Sequence, residues 1–476
     1  MKLEQLTHIY FLGIGGIGMS ALARFFLASG KLVSGYDKTA TDLTRELTQE
    51  GIEIHYEESI DAIPAAIKNA AVETVLVVWT PAVPVEHLEL KWLKRNGFTI
   101  MKRAQVLGLI VAQTKTIAVA GTHGKSTTAT LTAHILRTAG IDCSAFLGGI
   151  SRNYNTNLLL GKNLADVNAS ADEKIVVAEA DEYDRSFLWL HPSISIITSV
   201  DADHLDIYGN EQAMKDTYSD FVKQVKNRLI TKDVVLKSLG IPKDARAISY
   251  SVDDTSCDAF ANDIRIEDGY YVFNLVLPDS KISNVRMGLP GRHNVENAVA
   301  AAAAAKQVGA DDAAIREALS SFKGVKRRFD YRIRDSNVIF IDDYGHHPAE
   351  LKACISSVKE LFPGKKVTGI FQPHLFSRTR DFADDFARSL ELLDEVVLLD
   401  IYPAREKPIP GISSSMLLEK IDVQKKFLYS KQELVSKITE HDFDVLIAMG
   451  AGDIDQLVEP IETALREKFK IKEVAS

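Results

Sequence analysis

The chain has 476 residues, 46% hydrophobic and 25% charged, with a formal net charge of −9 and three cysteines. These figures describe an ordinary globular protein of roughly three domains and exclude a fibrous, disordered or disulfide-stapled chain. The negative balance gives no electrostatic footprint for nucleic acid or an anionic membrane surface, and no apolar run reaches the ~18 residues of a membrane span. The opening stretch MKLEQLTHIYFLGIGG runs into a strand without a signal-peptide layout, and Cys143, Cys257 and Cys354 are scattered without metal-ligand spacing. A reducing, cytoplasmic location is expected.

His8–Leu12 reads as a buried strand, followed by Gly13-Ile14-Gly15-Gly16-Ile17-Gly18 and an apolar helix through Leu27. This is G-x-G-x-x-G in its strand–loop–helix setting. A second strand, Lys31–Tyr36, ends at Asp37, where a dinucleotide fold places its ribose-binding acid. By itself the pattern supports either a nicotinamide cofactor or the diphosphate of another nucleotide. Strands at Ile52–His55 and Thr74–Val78 follow, with the loop Trp79–Pro84 at the strand edge where open parallel sheets bind ligands. Arg103–Gln113 reads as a short helix, and the first domain boundary is placed near residue 110.

Thr116–Ala120 reads as a buried strand running into Gly121-Thr122-His123-Gly124-Lys125-Ser126 and then a helix. Strand, glycine loop and helix N-terminus make an anion site, with Lys125 reaching the outer phosphates and the Ser126 hydroxyl available to Mg²⁺. Val119 stands where the strict phosphate-loop pattern has its first glycine. Two further apolar strands, Lys174–Ala178 and Ser193–Thr198, run into the acidic loops Glu179–Asp184 and Asp201–Asp206. Acidic clusters past strand ends beside a phosphate loop are natural ligands for Mg²⁺ and water. Either alone also fits a solvated loop or a helix cap. Residues from about Asp233 to Val285 turn β-rich, suggesting a small added sheet, and Gly291–Asn297 precedes an alanine-rich helix to Val308. KGVKRR at Lys323–Arg328 reads as a basic linker.

The last third repeats the strand–helix alternation. Val338–Ile341 enters DDYGHHP and a helix from Pro348 to about Leu361, Val367–Phe371 enters QPHLFSRTR, Glu395–Leu399 enters DIYPARE, and Val445–Met449 ends at GAGD. Polar loops gather on one edge of a βαβ domain, and a tight structural metal at His346-His347 is not expected. A nicotinamide-dependent dehydrogenase, resting on Gly13–Gly18 and Asp37, and an ATP-switched regulatory protein remain as rival functions on the residues alone.

GTHGKS, EADE, DADH, GRHNVENA, DDYGHHP and FQPH with RTR occur in that order over almost the whole chain. In this the sequence resembles the Mur ligase family, and DDYGHHP with FQPHLFSRTR points to those members that add L-alanine to UDP-N-acetylmuramate. The resemblance implies an ATP- and Mg²⁺-dependent amide ligase of peptidoglycan precursor synthesis. Three α/β domains are expected: a Rossmann-like UDP-sugar domain (1–110), a central ATP-binding parallel sheet with a small added β-sheet (111–325), and a Rossmann-like C-terminal domain (326–476). It reassigns the first glycine loop to the UDP diphosphate, with Gly13, Gly15, Gly16, Gly18, Asp37, Thr80 and Arg103 at the UDP-sugar site. ATP is expected at Gly121, Thr122, His123, Gly124, Lys125, Ser126 and Thr127, with Asn294 and Asn297 at adenine and Arg327 and Asp343 at phosphates and ribose. Ser126, Glu179 and His204 would hold Mg²⁺. Lys125, His346, His374 and Arg378 carry the catalytic assignment, the last three beside the incoming alanine. A weak homodimer is compatible with the resemblance. Two positions depart from the family pattern: Tyr218 stands where several members carry a carbamylated lysine, and Leu375 where a basic residue often follows the FQPH histidine.

Overall fold

The computed structural model describes residues 3–165, 169–202, 205–404 and 406–471. The alternation of short apolar strands with amphipathic helices resolves into three sheets. The first orders its strands Glu53–His55, Leu32–Tyr36, His8–Leu12, Val75–Trp79 and Thr99–Lys102, all parallel. Its inner strands are largely apolar and buried, with core clusters on both faces.

In the second sheet the strand Lys115–Ala120 lies between Ile194–Ile197 and Ile175–Glu179, parallel to both. The register pairs Ala120 with Ile197 and Val119 with Glu179, so three strand ends and their loops emerge side by side. On one flank stand Cys143–Phe146 and the antiparallel Leu158–Leu159, a strand within Gly149–Gly161, whose polar, turn-rich sequence GISRNYNTNLLLG reads as a loop. On the other flank, Arg228–Thr231 leads to Ala247–Ser251, Ala259–Glu267, Tyr270–Leu277 and Ser280–Arg286. The expected small sheet therefore joins the edge of the central one, beginning where Tyr250 pairs with Ala259. The β-rich segment also opens with a helix, Asp233–Leu239.

The third sheet orders Asp330–Arg334, Ile339–Asp343, Val445–Met449, Val367–Phe371, Glu395–Leu398 and Lys426–Leu428, parallel except at its first strand. Contacts divide the chain into two units, residues 1–262, 274–283 and 296–322 in one and 263–273, 284–295 and 323–476 in the other. The division runs through the three added strands and the first turn of the helix Arg292–Lys306. That helix begins earlier than the sequence suggests, so Asn294 and Asn297 lie on it rather than in a preceding cap. The three cysteines are free and buried. Among the described residues no helix is long and apolar enough to cross a membrane.

Candidate functional site

In the first unit, the phosphate loop is fixed from both sides. Gly124, at φ +80°, is the N-cap of the helix Lys125–Thr138, a conformation that a side chain adopts only with strain. A Cβ there would also approach the Asn297 amide oxygen to 2.8 Å. The neighbouring strand end holds the loop: Thr122 N–H donates to the Ser199 carbonyl (3.1 Å), Thr122 Oγ1 to the Asp201 carbonyl (2.9 Å), and His123 N–H to Ser199 Oγ (3.1 Å).

Lys125 folds back over this loop. Its Nζ donates to the Gly121 carbonyl at 2.6 Å and to Glu182 Oε1 at 2.8 Å. Glu182 is 1% exposed, and the Tyr208 hydroxyl donates to its backbone carbonyl at 2.5 Å. Burial pulls the Lys125 pKa down, but the carboxylates of Glu182, Glu179 and Asp181 outweigh it and hold the ammonium above its ordinary value. The lysine is a fixed cation. Ser126 and Thr127 are buried in the first turn of the same helix.

Glu179, at the end of its strand, has one buried carboxylate oxygen with no hydrogen-bond partner among the described residues. A Cβ on Gly148 would overlap that carboxylate, so glycine alone leaves it room. An orphaned carboxylate oxygen near the Ser126 helix suits a hard divalent cation with oxygen ligands. His204, the third expected ligand, lies outside the described residues, and among those described no group of three His, Cys, Asp or Glu could hold a metal. Tyr218 is fully buried and packs edge-on against Phe187 at 5.1 Å. Tyr218 is part of the hydrophobic core.

The second site in this unit is a cleft of about 200 Å³ lined by Gly16, Gly18, Thr80, Arg103, Glu179 and Asp181 among others. Arg103 opens the helix Arg103–Val111, lies across Gly18, and donates through Nη2 to Asp181 Oδ2 at 3.0 Å. The preceding Lys102 pairs with Asp184 at 2.6 Å. Asp37 does not present a bare carboxylate: its oxygens accept from Gly15 N–H (2.7 Å) and Thr39 N–H (3.1 Å). Its observed part is to shape the glycine loop. Gly13 turns the chain there, with its N–H on the Tyr36 carbonyl at 2.8 Å.

In the second unit, Arg378 is buried and donates through Nη1 to His374 Nδ1 at 3.3 Å. A guanidinium only donates, so this His374 nitrogen is the acceptor and the ring is held in one tautomer. The His346 ring stands edge-on to His374 with centroids 5.9 Å apart, and Glu350 Oε2 lies 3.4 Å from His346 Nδ1. His347 instead caps the helix Pro348–Leu361. Nearby, Asp343 accepts from Phe329 N–H (2.8 Å) and Gly345 N–H (2.7 Å), so it holds the turn in which Arg327 and Phe329 have positive φ. The Arg327 guanidinium donates to the Gly450 carbonyl at 2.7 Å and lies against Asp342, whose carboxyl burial pushes up to about 6. Asn294 donates its amide to the Pro290 carbonyl at 2.6 Å.

The structure thus brings together Lys125 with its loop, Arg103 with Gly18 and Thr80, and His346 with His374 and Arg378. Glu182, Asp181 and Asp342, which hold Lys125, Arg103 and Arg327, carry no separate signal in the sequence beyond belonging to acidic loops.

Parallel sheets with a phosphate loop, an acidic strand end beside it and a second glycine-loop cleft define an α/β protein of the nucleotide-binding class. The Mur ligase family catalytic domain profile matches residues 8–115, the Mur ligase middle domain 119–305, and the Mur ligase glutamate ligase domain 327–452. The chain belongs to the Mur ligase family. It is 47% identical over 472 residues to the UDP-N-acetylmuramate–L-alanine ligase of Parabacteroides distasonis, covering 99% of this chain and 100% of that protein. With the enzyme of that name from Flavobacterium psychrophilum it shares 48% over 468 residues, covering 98% and 100%. Among solved structures, UDP-N-acetylmuramate–alanine ligase from Thermotoga maritima matches with a TM-score of 0.78 at 27% identity, covering 97% of this chain and 99% of that one. A murein peptide ligase from Psychrobacter arcticus matches with a TM-score of 0.69 at 26% identity, covering 99% and 100%.

Proposed function

We propose that the protein joins L-alanine to the carboxylate of UDP-N-acetylmuramate at the expense of ATP, in the cytoplasmic synthesis of peptidoglycan precursors. The observation that carries this reading is likeness near 47% over essentially the full length to ligases of that name. On it, residues 1–110 form the UDP-sugar domain, 111–325 the ATP domain and 326–476 the amino-acid domain.

A carboxylate is a poor acylating agent because its oxygen leaves badly. Transfer of the γ-phosphoryl of ATP to the muramyl carboxylate gives an acyl phosphate and ADP. The amine of L-alanine then attacks the carbonyl, the C–O bond to phosphate breaks, and amide, inorganic phosphate and a proton result. Lys125 and Arg327 oppose the charge spread over the transferred group. Gly121–Thr127 cradle the phosphates, Asn294 and Asn297 take adenine, and Asp343 supports the phosphate and ribose side through the Arg327 turn. Ser126, Glu179 and His204 would hold Mg²⁺, which would supply positive charge to neutralise the phosphates. Gly13, Gly15, Gly16, Gly18, Asp37, Thr80 and Arg103 take the sugar nucleotide. His346 accepts the proton of the alanine ammonium, while His374 orients Arg378 on the alanine carboxylate.

The test is phosphate release from ATP and Mg²⁺ with UDP-N-acetylmuramate and a panel of amino acids. Release dependent on L-alanine is expected. Release with the murein tripeptide and not with L-alanine would reassign the chain to murein peptide recycling, and nucleotide binding without release would leave a regulatory protein.

A further inference from the structure

Asn157 belongs to the middle domain but spends its side chain on the N-terminal domain. It is 0% exposed. Its amide nitrogen donates to the Ile17 carbonyl at 2.6 Å and to Ser20 Oγ at 2.9 Å, and its amide oxygen accepts from Arg24 Nη1 at 2.5 Å. All three partners lie on the helix Ile17–Ala28, whose N-terminus carries the glycine loop. Arg24 is held in turn by Glu46 (3.2 Å) and Glu50 (2.7 Å).

The other side of Asn157 is anchored to the ATP site. Its backbone carbonyl accepts from Leu147 N–H at 2.9 Å, and the next residue, Gly148, is the one shaped around the Glu179 carboxylate. The same loop is tied to the phosphate-loop helix by the Tyr154 hydroxyl, 2.8 Å from His134 Nδ1. His134 reaches Ser321 Oγ at 3.0 Å with its other nitrogen, and burial lowers its pKa to about 4, so the link stays neutral.

We propose that Asn157 is a positioning residue that fixes the glycine-loop helix against the loop joined to the phosphate-loop helix, and so sets the approach of the sugar carboxylate to the γ-phosphate. This rests on the function proposed above. On that reading the glycine loop for the sugar diphosphate lies in the N-terminal domain and the phosphate loop for ATP in the middle domain. The reaction needs the two in line within a fraction of an ångström. A fully satisfied buried amide with three partners on one helix is suited to that, because each lost bond leaves a buried polar group unpaired.

The experiment uses the full chain and compares Asn157→Ala and Asn157→Asp with wild type. It measures kcat and KM by phosphate release, the Kd of UDP-N-acetylmuramate by calorimetry without ATP, and Tm. Asp keeps an acceptor for Arg24 but donates nothing to Ile17 or Ser20, so it preserves the contact with Arg24 and removes the two bonds made by the amide nitrogen. In both variants kcat falls about 10- to 100-fold, while KM and Kd for the sugar nucleotide stay within about twofold. Where one variant does not fold, the other decides the matter. A kcat within about twofold of wild type in a folded variant overturns the proposal, as does a Kd that weakens in step with kcat/KM. Wild-type protein that releases no phosphate would overturn the function itself. An active wild type with unaffected variants removes only the role of Asn157.

Discussion

The Lys125 ammonium lies 2.8 Å from Glu182 Oε1, on a carboxylate that is 1% exposed. The cation assigned to the ATP phosphates therefore has a buried carboxylate as its partner. Phosphate must compete with Glu182 for the lysine.

Lys125→Ala accordingly has two effects. It removes a fixed charge from the phosphate site, which lowers kcat at least ~10²-fold. It also strands Glu182 as a buried, uncompensated carboxylate, a loss on the order of 3–5 kcal/mol. The glycines that shape the loop do not prevent this second effect. Lys125→Ala/Glu182→Gln should recover most of the stability and none of the activity. Urea denaturation beside phosphate-release assays reads both, and equal stability of the single and double variants would show that the pair does not matter to folding.

Gly148→Ala tests the room around Glu179. The added methyl overlaps the carboxylate and must push it aside. The Mg²⁺ concentration for half-maximal activity should rise several-fold, whereas KM for L-alanine stays within about twofold. The checks are a Mg²⁺ titration and the Mg²⁺-dependent shift in Tm of the ATP complex. An unchanged titration would place the metal elsewhere.

Arg378→Lys separates a clamp from a surface charge. Arg378 is 7% exposed beside His374, whereas the Arg380 side chain is 52% exposed and paired with Asp381. A planar fork grips a carboxylate in two places and an ammonium does not. KM for L-alanine should rise at least ~10-fold with KM for ATP nearly constant, and Arg380→Lys should change neither. Substrate titrations of both variants decide it.

Glu89 predicts a pH signature in the N-terminal domain. It is 0% exposed, and burial pushes its carboxyl from 4.5 up to about 7, partly offset by the Tyr10 hydroxyl donating to it at 2.6 Å. The folded state therefore holds the proton more tightly than the unfolded one. The contribution to stability is fully present below about pH 4.5 and is lost as pH rises through about 7. Glu89→Gln should gain on wild type by on the order of 1–3 kcal/mol between these limits and level off above them. Burial lowers the pKa of His55 and His87 nearby, giving the opposite slope; because His55 Nε2 lies 3.6 Å from Glu89 Oε2, the comparison is also made on a His55→Gln background. Denaturant midpoints across that range read the outcome, and parallel curves would remove Glu89 as the source.

The sequence by itself determined the two glycine loops, the main parallel strands and the helices that follow them, and the acidic and basic loops at the strand ends. Those features are written in short-range patterns: apolar runs of strand length, glycine where φ turns positive, proline at the start of Pro348–Leu361. Strand Val367–Phe371 and strand Val445–Met449 run between the residues the pattern assigns. Only the tertiary structure decided which charged groups meet. Glu182 faces Lys125 across 57 positions and Asp181 faces Arg103 across 78. Asn157, in a stretch that reads as an ordinary polar loop, meets Ile17 across 140. Asp37 and Asp343, legible as ligand-edge carboxylates, turn out to hold backbone N–H groups of their own loops. A carboxylate or an amide has the same local signature whether it faces solvent, a ligand or a buried partner. The choice is made by desolvation, which exists only once distant strands have packed.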